Sequence, residues 1–277
     1  MIRSIWILVA GTVLTGFFSS RVVLNRLFRR PDRGCWCDRL TRRWTRLVLK
    51  IAGVRVKVFD VDRVDWSEPV VVVANHQSWF DVFTLAAHLP GRVRFVAKEE
   101  LSRIPIFGCA WRICGHISID RSDRKRAIES LDRAAERVRE ESLTMALFPE
   151  GTRSPDGRLY AFKKGAFILA IKTRVPVVPV GISGSRAIMP KGSFRVRGGE
   201  IRIRVGEPIE VGTSEQGERD RLRELSRRAV AGLIEEEDAE SGLAGEIVPV
   251  ESELRFAGSS DLGYKGSTRD NTEETKG

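Results

Sequence analysis

Between residues 54 and 234 short apolar runs take turns with amphipathic stretches, and no other feature of the chain restricts its fold as tightly. Val70–Ala74 is four valines closed by alanine, the composition of a strand covered on both faces. A helix is expected from about Asp81 and a strand over 93–97. Residues 123–140 have the helical period, with Ile128, Leu131, Ala135 and Val138 turned inward. Residues 143–148 are predicted as a strand, 166–173 as a helix and 175–181 as a strand. Residues 194–197 and 201–205, joined around Gly198 and Gly199, read as a hairpin. Leu222, Leu225, Ala229, Val230, Leu233 and Ile234 mark a closing helix. Strands and helices in this order build an α/β fold, a mixed central sheet flanked by helices.

The rest of the chain divides around this part. Between Arg3 and Arg21 lie 17 uncharged residues, which as a helix reach roughly 26 Å, close to the thickness of a bilayer core. Phe17-Phe18-Ser19-Ser20-Arg21 offers no small-x-small cleavage site, so an uncleaved anchor is favoured over a signal peptide. Arg21, Arg26, Arg29, Arg30 and Arg33 follow the run and Arg3 alone precedes it, a bias that puts the following chain in the cytoplasm. Leu40, Trp44, Leu47, Val48 and Ile51 recur at helical spacing opposite a basic face, as in a helix lying in a membrane interface or on the surface of the domain. Residues 1–50 are therefore expected to form a membrane-associating helical segment, 51–235 the α/β domain, and 236–277 an acidic tail too poor in apolar residues to offset its ordering entropy.

Charge follows the same division. Of a net +10, residues 235–277 carry 12 acids and 4 bases, which leaves +18 on the rest. So basic a domain needs anionic partners: nucleic acid, anionic lipid or a phosphate-bearing substrate. The aromatics are not interleaved with bases on a strand platform, which disfavours nucleic acid. Cys35, Cys37, Cys109 and Cys114 have neither zinc-site spacing nor a nucleophile motif, so reduced structural thiols and no metal are expected.

Two turns carry chemistry. Asn75-His76-Gln77-Ser78-Trp79-Phe80-Asp81 follows the valine run, where the chain leaves the carboxyl end of a sheet. Were residues 76–81 all helical, His76 and Asp81 would sit about 140° apart. A strand-to-helix turn at His76 followed by a helical turn at Asp81 would instead let the carboxylate hold one ring nitrogen while the other acts as a base. Phe148-Pro149-Glu150-Gly151-Thr152-Arg153-Ser154 leaves a second strand in a tight turn, with Arg153 suited to a phosphate. Lys98, after the strand at 93–97, is a further candidate phosphate ligand. Arg195, Arg197, Arg202 and Arg204 would give the expected hairpin a basic face for anionic lipid or carrier phosphates.

The pairing of N-H-x4-D with F-P-E-G-T-R-S some 70 residues later resembles the glycerolipid acyltransferase superfamily, most of all the 1-acyl-sn-glycerol-3-phosphate (lysophosphatidic acid) acyltransferases. Gly115-His116-Ile117-Ser118-Ile119-Asp120-Arg121 and Val175-Pro176-Val177-Val178-Pro179-Val180 resemble two further blocks of that family, in the right order. His116 departs from it, standing where bulkier apolar residues are common. The resemblance implies His76 as general base, Asp81 as its orienting partner, and Glu150, Gly151, Thr152, Arg153 and Arg121 as the acceptor-phosphate site. It also implies transfer from an acyl-CoA or acyl carrier protein co-substrate to a lysophospholipid at a membrane, without a metal or other cofactor. Another lysophospholipid or a lyso-aminolipid acceptor, and a non-catalytic basic membrane-binding or nucleic-acid-binding protein, are the alternatives.

Overall fold

A computed structural model describes residues 1–28, 35–120, 123–213 and 216–241. All belong to one compact unit, Met1–Ala244. Two helices come first, α1 (Ile2–Leu27) and α2 (Cys35–Ala52). Then follow β1 (Val54–Phe59), β2 (Val70–Ala74), α3 (Trp79–His88), β3 (Arg92–Lys98), α4 (Glu99–Ser102), α5 (Phe107–Ile113) and β4 (Ile117–Ile119). The remainder is α6 (Arg124–Glu141), β5 (Leu143–Leu147), α7 (Gly165–Thr173), β6 (Val177–Ser183), α8 (Ser185–Ile188), β7 (Gly199–Val205) and α9 (Glu218–Ser241).

The strands form one sheet in the order β1-β7-β6-β2-β5-β3-β4. Every neighbouring pair is parallel except β6 with β7, so the sheet is mixed, as expected. At its centre β2 is buried throughout. Its period of two sends Val70, Val72 and Ala74 into the core shared with Leu49, Leu85 and Ile203. Val71 and Val73 point into the opposite core with Val138, Phe167, Leu169 and Val230. Helices α2 and α3 thus cover one face, and α6, α7 and α9 the other. Full burial of such side chains stabilises by about 1.5–3 kcal/mol each, which is why an all-apolar run survives only in the middle of the sheet. Because β2, β5 and β3 run side by side and parallel, the turns after Ala74 and Leu147 and the residue Lys98 leave the sheet at one edge.

Three expectations are corrected. The hairpin does not form, because both edges of β7 are taken, by β1 in parallel and β6 antiparallel. Val196 is tied instead to α1, its backbone N–H and C=O both bonding Ser4 Oγ at 3.1 and 3.4 Å, and Arg197 N–H donates to Ile188 O. Of the four arginines expected on the hairpin's basic face, Arg202 pairs with Glu200 and Arg204 pairs with Asp60 while lying over the Phe59 ring, whereas Arg195 and Arg197 are exposed. Second, the apolar stripe of α2 packs on protein, with Leu49 in the main core and Trp44 edge-on to Phe83 at 5.6 Å and to Phe107 at 6.4 Å. Third, α9 runs past Glu235 to Ser241, so helix persists where the apolar pattern has stopped. The rest of the expected tail lies outside the described residues.

Helix α1 is long and apolar enough to cross a membrane by length and composition, yet it is fastened to the domain at both ends. Near its start Arg3 Nη2 donates to Ala52 O at 3.1 Å and Ser4 holds Val196. Near its end Val22 packs with Cys37, Ala110 and Cys114. Ile2, Trp6, Val9, Val13, Phe17 and Leu24 remain exposed along the outer side, at helical spacing.

Candidate active site

The site grows from the way β2 ends. Asn75 is buried, and its side-chain amide bonds both the C=O and the N–H of Ile182 at 2.8 Å, so the end of β2 is pinned to β6. The next residue can then turn out of the sheet in a fixed direction. Ser78 caps α3, its Oγ accepting from Phe80 N–H while the Asp81 carboxylate accepts from Ser78 N–H, a capping box. His76 thus precedes the helix and Asp81 sits in its first turn, the arrangement that brings the two together where a continuous helix would not.

Asp81 Oδ2 lies 2.8 Å from His76 Nδ1 and also accepts the N–H groups of Gln77 and Ser78 at 2.7 and 2.8 Å. Asp81 is completely buried, so its carboxylate is held by these donors rather than by water. An acceptor on Nδ1 places the ring proton there and leaves Nε2 with a lone pair. The ring is fixed from the side by Phe148, stacked at 4.0 Å and 16°. His76 is therefore oriented by a carboxylate and an aromatic face, a geometry in which Nε2 can accept a proton.

The second turn braces the first. Ser154 N–H donates to His76 O at 2.7 Å. Glu150 is buried, and its carboxylate oxygens accept the backbone N–H of His76 at 2.8 Å and of Tyr160 at 3.1 Å. Glu150 was expected at the acceptor phosphate; it is turned inward, and it positions His76 through the backbone. Burial outweighs those two donors and pushes its carboxyl up to about 7. Gly151 has a φ of 78°, a conformation that favours glycine, and a Cβ there would displace the end of the Lys163 side chain.

The outward-facing residues are Thr152, whose Oγ1 accepts from Lys191 Nζ at 3.2 Å, and Arg153, whose guanidinium lies over the Trp79 ring at 4.9 Å. Partial burial lowers the Arg153 pKa from its ordinary value, while Asp81 opposes the shift. Lys98 is exposed at the end of β3. Arg121 lies outside the described residues. Sequence reasoning missed Lys163 and Lys191, which join the basic surroundings of this turn, and the roles of Asn75, Phe148 and Trp79. Pairwise spacing along the chain carries no trace of these contacts; only the strand order makes residues 76 and 150 neighbours.

His76, Gly151, Thr152, Arg153 and Lys98 all open onto one cavity of about 700 Å³. Its wall is apolar over most of its area and is built by α1, α2, α3 and α5, including Phe18, Val22, Trp44, Phe83 and Phe107. An imidazole and a guanidinium on the wall of a mostly apolar cavity suit an amphiphile, with its charged head at the polar side chains and its hydrocarbon part against the apolar ones. Elsewhere, Cys37 and Cys114 are buried with sulfurs 2.8 Å apart, and their mutual contact and burial raise the Cys114 thiol pKa far above its ordinary value.

Residues 55–183 match the family described as acyltransferase. The chain is 42% identical over 142 residues to the chloroplastic 1-acyl-sn-glycerol-3-phosphate acyltransferase BAT2 of Brassica napus, covering 51% of this chain and 41% of that one. It is 36% identical over 157 residues to the human 1-acyl-sn-glycerol-3-phosphate acyltransferase alpha, covering 57% and 56%. The chain spans about half the length of the curated relatives it matches. The crystal structure of the 1-acyl-sn-glycerophosphate (LPA) acyltransferase PlsC from Thermotoga maritima superposes with a TM-score of 0.70 at 29% identity, covering 84% of this chain and 95% of that one.

Proposed function

We propose that this chain, which resembles the glycerolipid acyltransferase superfamily and most of all its 1-acyl-sn-glycerol-3-phosphate acyltransferases, transfers a fatty acyl group from a thioester carrier to the free hydroxyl of lysophosphatidic acid, giving phosphatidic acid. One observation carries the reading: a histidine with Nδ1 fixed by a buried carboxylate stands with an arginine on the wall of a mostly apolar cavity of about 700 Å³.

In the proposed mechanism Nε2 of His76 takes the proton of the acceptor hydroxyl as that oxygen attacks the thioester carbonyl. Asp81 stabilises the resulting imidazolium. Collapse of the tetrahedral intermediate breaks the carbon–sulfur bond, and the leaving thiolate receives the proton from His76. No acyl-enzyme forms and no metal or other cofactor takes part. Arg153, with Lys98 and Arg121 as further ligands, binds the acceptor phosphate; Gly151 and Thr152 supply the turn that presents Arg153. Fixing the phosphate and the chain together makes the attack effectively intramolecular. The donor is an acyl-CoA or an acyl carrier protein, whose acidic surface suits this basic domain.

The exposed apolar side of α1 supports membrane association, and its two fastened ends favour a helix lying in one leaflet over one crossing to the far side. The arginine excess after α1 favours the cytoplasmic leaflet.

The test is product identification with detergent-purified protein given lysophosphatidic acid or a neutral lysophospholipid, and either type of donor. Phosphatidic acid is the expected product. Acylation of the neutral acceptors but not of lysophosphatidic acid would overturn the assignment of the acceptor.

A further inference from the structure

Far from the reacting end, the apolar cavity contains a polar spot that the proposed mechanism does not use. His116, just before β4, lines the cavity and is only partly buried. Its Nδ1 accepts the backbone N–H of Phe95 at 3.1 Å. A backbone N–H can only donate, so a neutral ring carries its proton on Nε2. Accepting on Nδ1 requires the neutral ring, and desolvation, with the charges of Arg94 and Arg137, lowers its pKa in the same direction. Nε2 has no hydrogen-bond partner among the described residues, which leaves its N–H addressed to the cavity.

Two indole groups extend the same wall. Trp111 stacks on His116 at 4.1 Å and 26°, and Phe107 bridges it to Trp44 at 5.9 and 6.4 Å. Both tryptophan rings line the cavity, while their indole N–H groups are buried within the wall. An unpartnered ring N–H on this wall is poorly suited to plain hydrocarbon, which would strip water from it and return nothing. It suits an occupant that brings an oxygen to that point.

The sheet order sets where along a chain that point falls. His76 follows β2 and His116 precedes β4; the order β2-β5-β3-β4 separates them by three strand spacings across the sheet, roughly 14 Å at about 4.8 Å each, and His116, bonded to Phe95 at the level of Ala146 and Val72, is offset along the strands as well. A fatty chain whose carbonyl is at His76 reaches His116 only past its first several carbons.

We propose that His116, backed by Trp111, is a specificity-determining residue that selects acyl chains carrying an acceptor oxygen, a hydroxyl or keto group, well along the chain. The inference rests on the reading of the cavity as the acyl site. The experiment therefore measures binding and transfer separately, using positional isomers of a hydroxy fatty acid beside the unsubstituted acid of equal length. Dissociation constants are measured for the free acids by calorimetry on detergent-purified protein, and initial rates for the corresponding acyl thioesters. One isomer is expected to bind about tenfold more tightly than the plain chain, the discrimination available from one hydrogen bond in a dry site. His116→Leu should abolish that preference, and His116→Gln, which keeps a side-chain N–H, should retain part of it.

Equal affinities for every isomer and the plain acid would overturn the proposal, on wild-type protein alone, even if His116→Leu does not fold. A preference unchanged in a folded His116→Leu variant would overturn it too. A preferred isomer in binding, with no transfer from any thioester, would uphold the selection by His116 and remove the acyltransferase reading instead. If no fatty acid binds, the proposal falls.

Discussion

Two carboxylates near one histidine do different work because their neighbours differ. Asp81 receives three hydrogen bonds on a single oxygen and holds the ring itself. Glu150 receives two backbone N–H groups and holds the turn on which the ring is mounted. Since the folded-state pKa of Glu150 is raised from its ordinary 4.5 to about 7, the folded protein binds more protons than the unfolded one between those values. Stability contributed by this group is therefore present below about 4.5 and is lost as pH rises through about 7. Denaturant unfolding at a series of pH values should show wild type losing stability over that window relative to Glu150→Gln, and parallel curves would refute the assignment. Glu150→Gln should also lower kcat more than it raises KM, because an amide cannot accept from both His76 and Tyr160 with its two ends. Arg153→Ala, by contrast, is expected to raise KM for a phosphate-bearing acceptor at least as much as it lowers kcat, and to leave KM for a neutral one unchanged. The His76–Asp81 pair was legible in the sequence, since a base and a carboxylate five apart meet only across a strand-to-helix turn and the valine run announces the strand. The inward turn of Glu150 was not legible, because its partners are backbone groups 74 residues and 10 residues away.

At the scale of elements, the central strands were readable because burial on both faces disfavours polar residues. β2, β5 and β6 are buried at every position and appear in the sequence as largely apolar runs, with Thr144 and Ser183 the polar residues among them. At the sheet edge the reading failed: β7 alternates apolar and charged residues, as a hairpin arm does. Its actual partners come from β1, far away in sequence, and from β6. Local turn chemistry at Gly198 and Gly199 was overridden by the cost of leaving β1 and β6 without a strand between them. What holds the element carrying the base in place is equally non-local, namely Asn75 on Ile182. Asn75→Ala should leave two buried backbone groups unpaired and destabilise the fold by roughly 2–4 kcal/mol, measured as a shift in the denaturant midpoint. A change within a few tenths would mean that water or a backbone shift replaces the amide.

For the molecule as a whole, a basic domain, an apolar cavity walled by α1 and α2, and a stripe of exposed apolar side chains on α1 support the proposal of an enzyme acting on amphiphiles at a membrane surface. The sequence revealed the apolar N-terminal run but not its course, since hydropathy alone cannot distinguish a helix that crosses a bilayer from one fastened along a domain. Replacing Trp6, Val13 and Phe17 by serine should reduce binding to anionic phospholipid vesicles by about tenfold or more, given the area withdrawn from the membrane. The thermal transition should be unchanged, because all three face outward. The central claim, that His76 is the base of an acyl transfer to lysophosphatidic acid, is tested most directly by one comparison. Single-turnover formation of phosphatidic acid is followed for wild type and His76→Ala at saturating donor and acceptor, with acceptor binding measured in parallel. The predicted result is a rate lower by about 10²–10⁴ in the variant, with acceptor binding preserved. Phosphatidic acid formed by His76→Ala at the wild-type rate would contradict it.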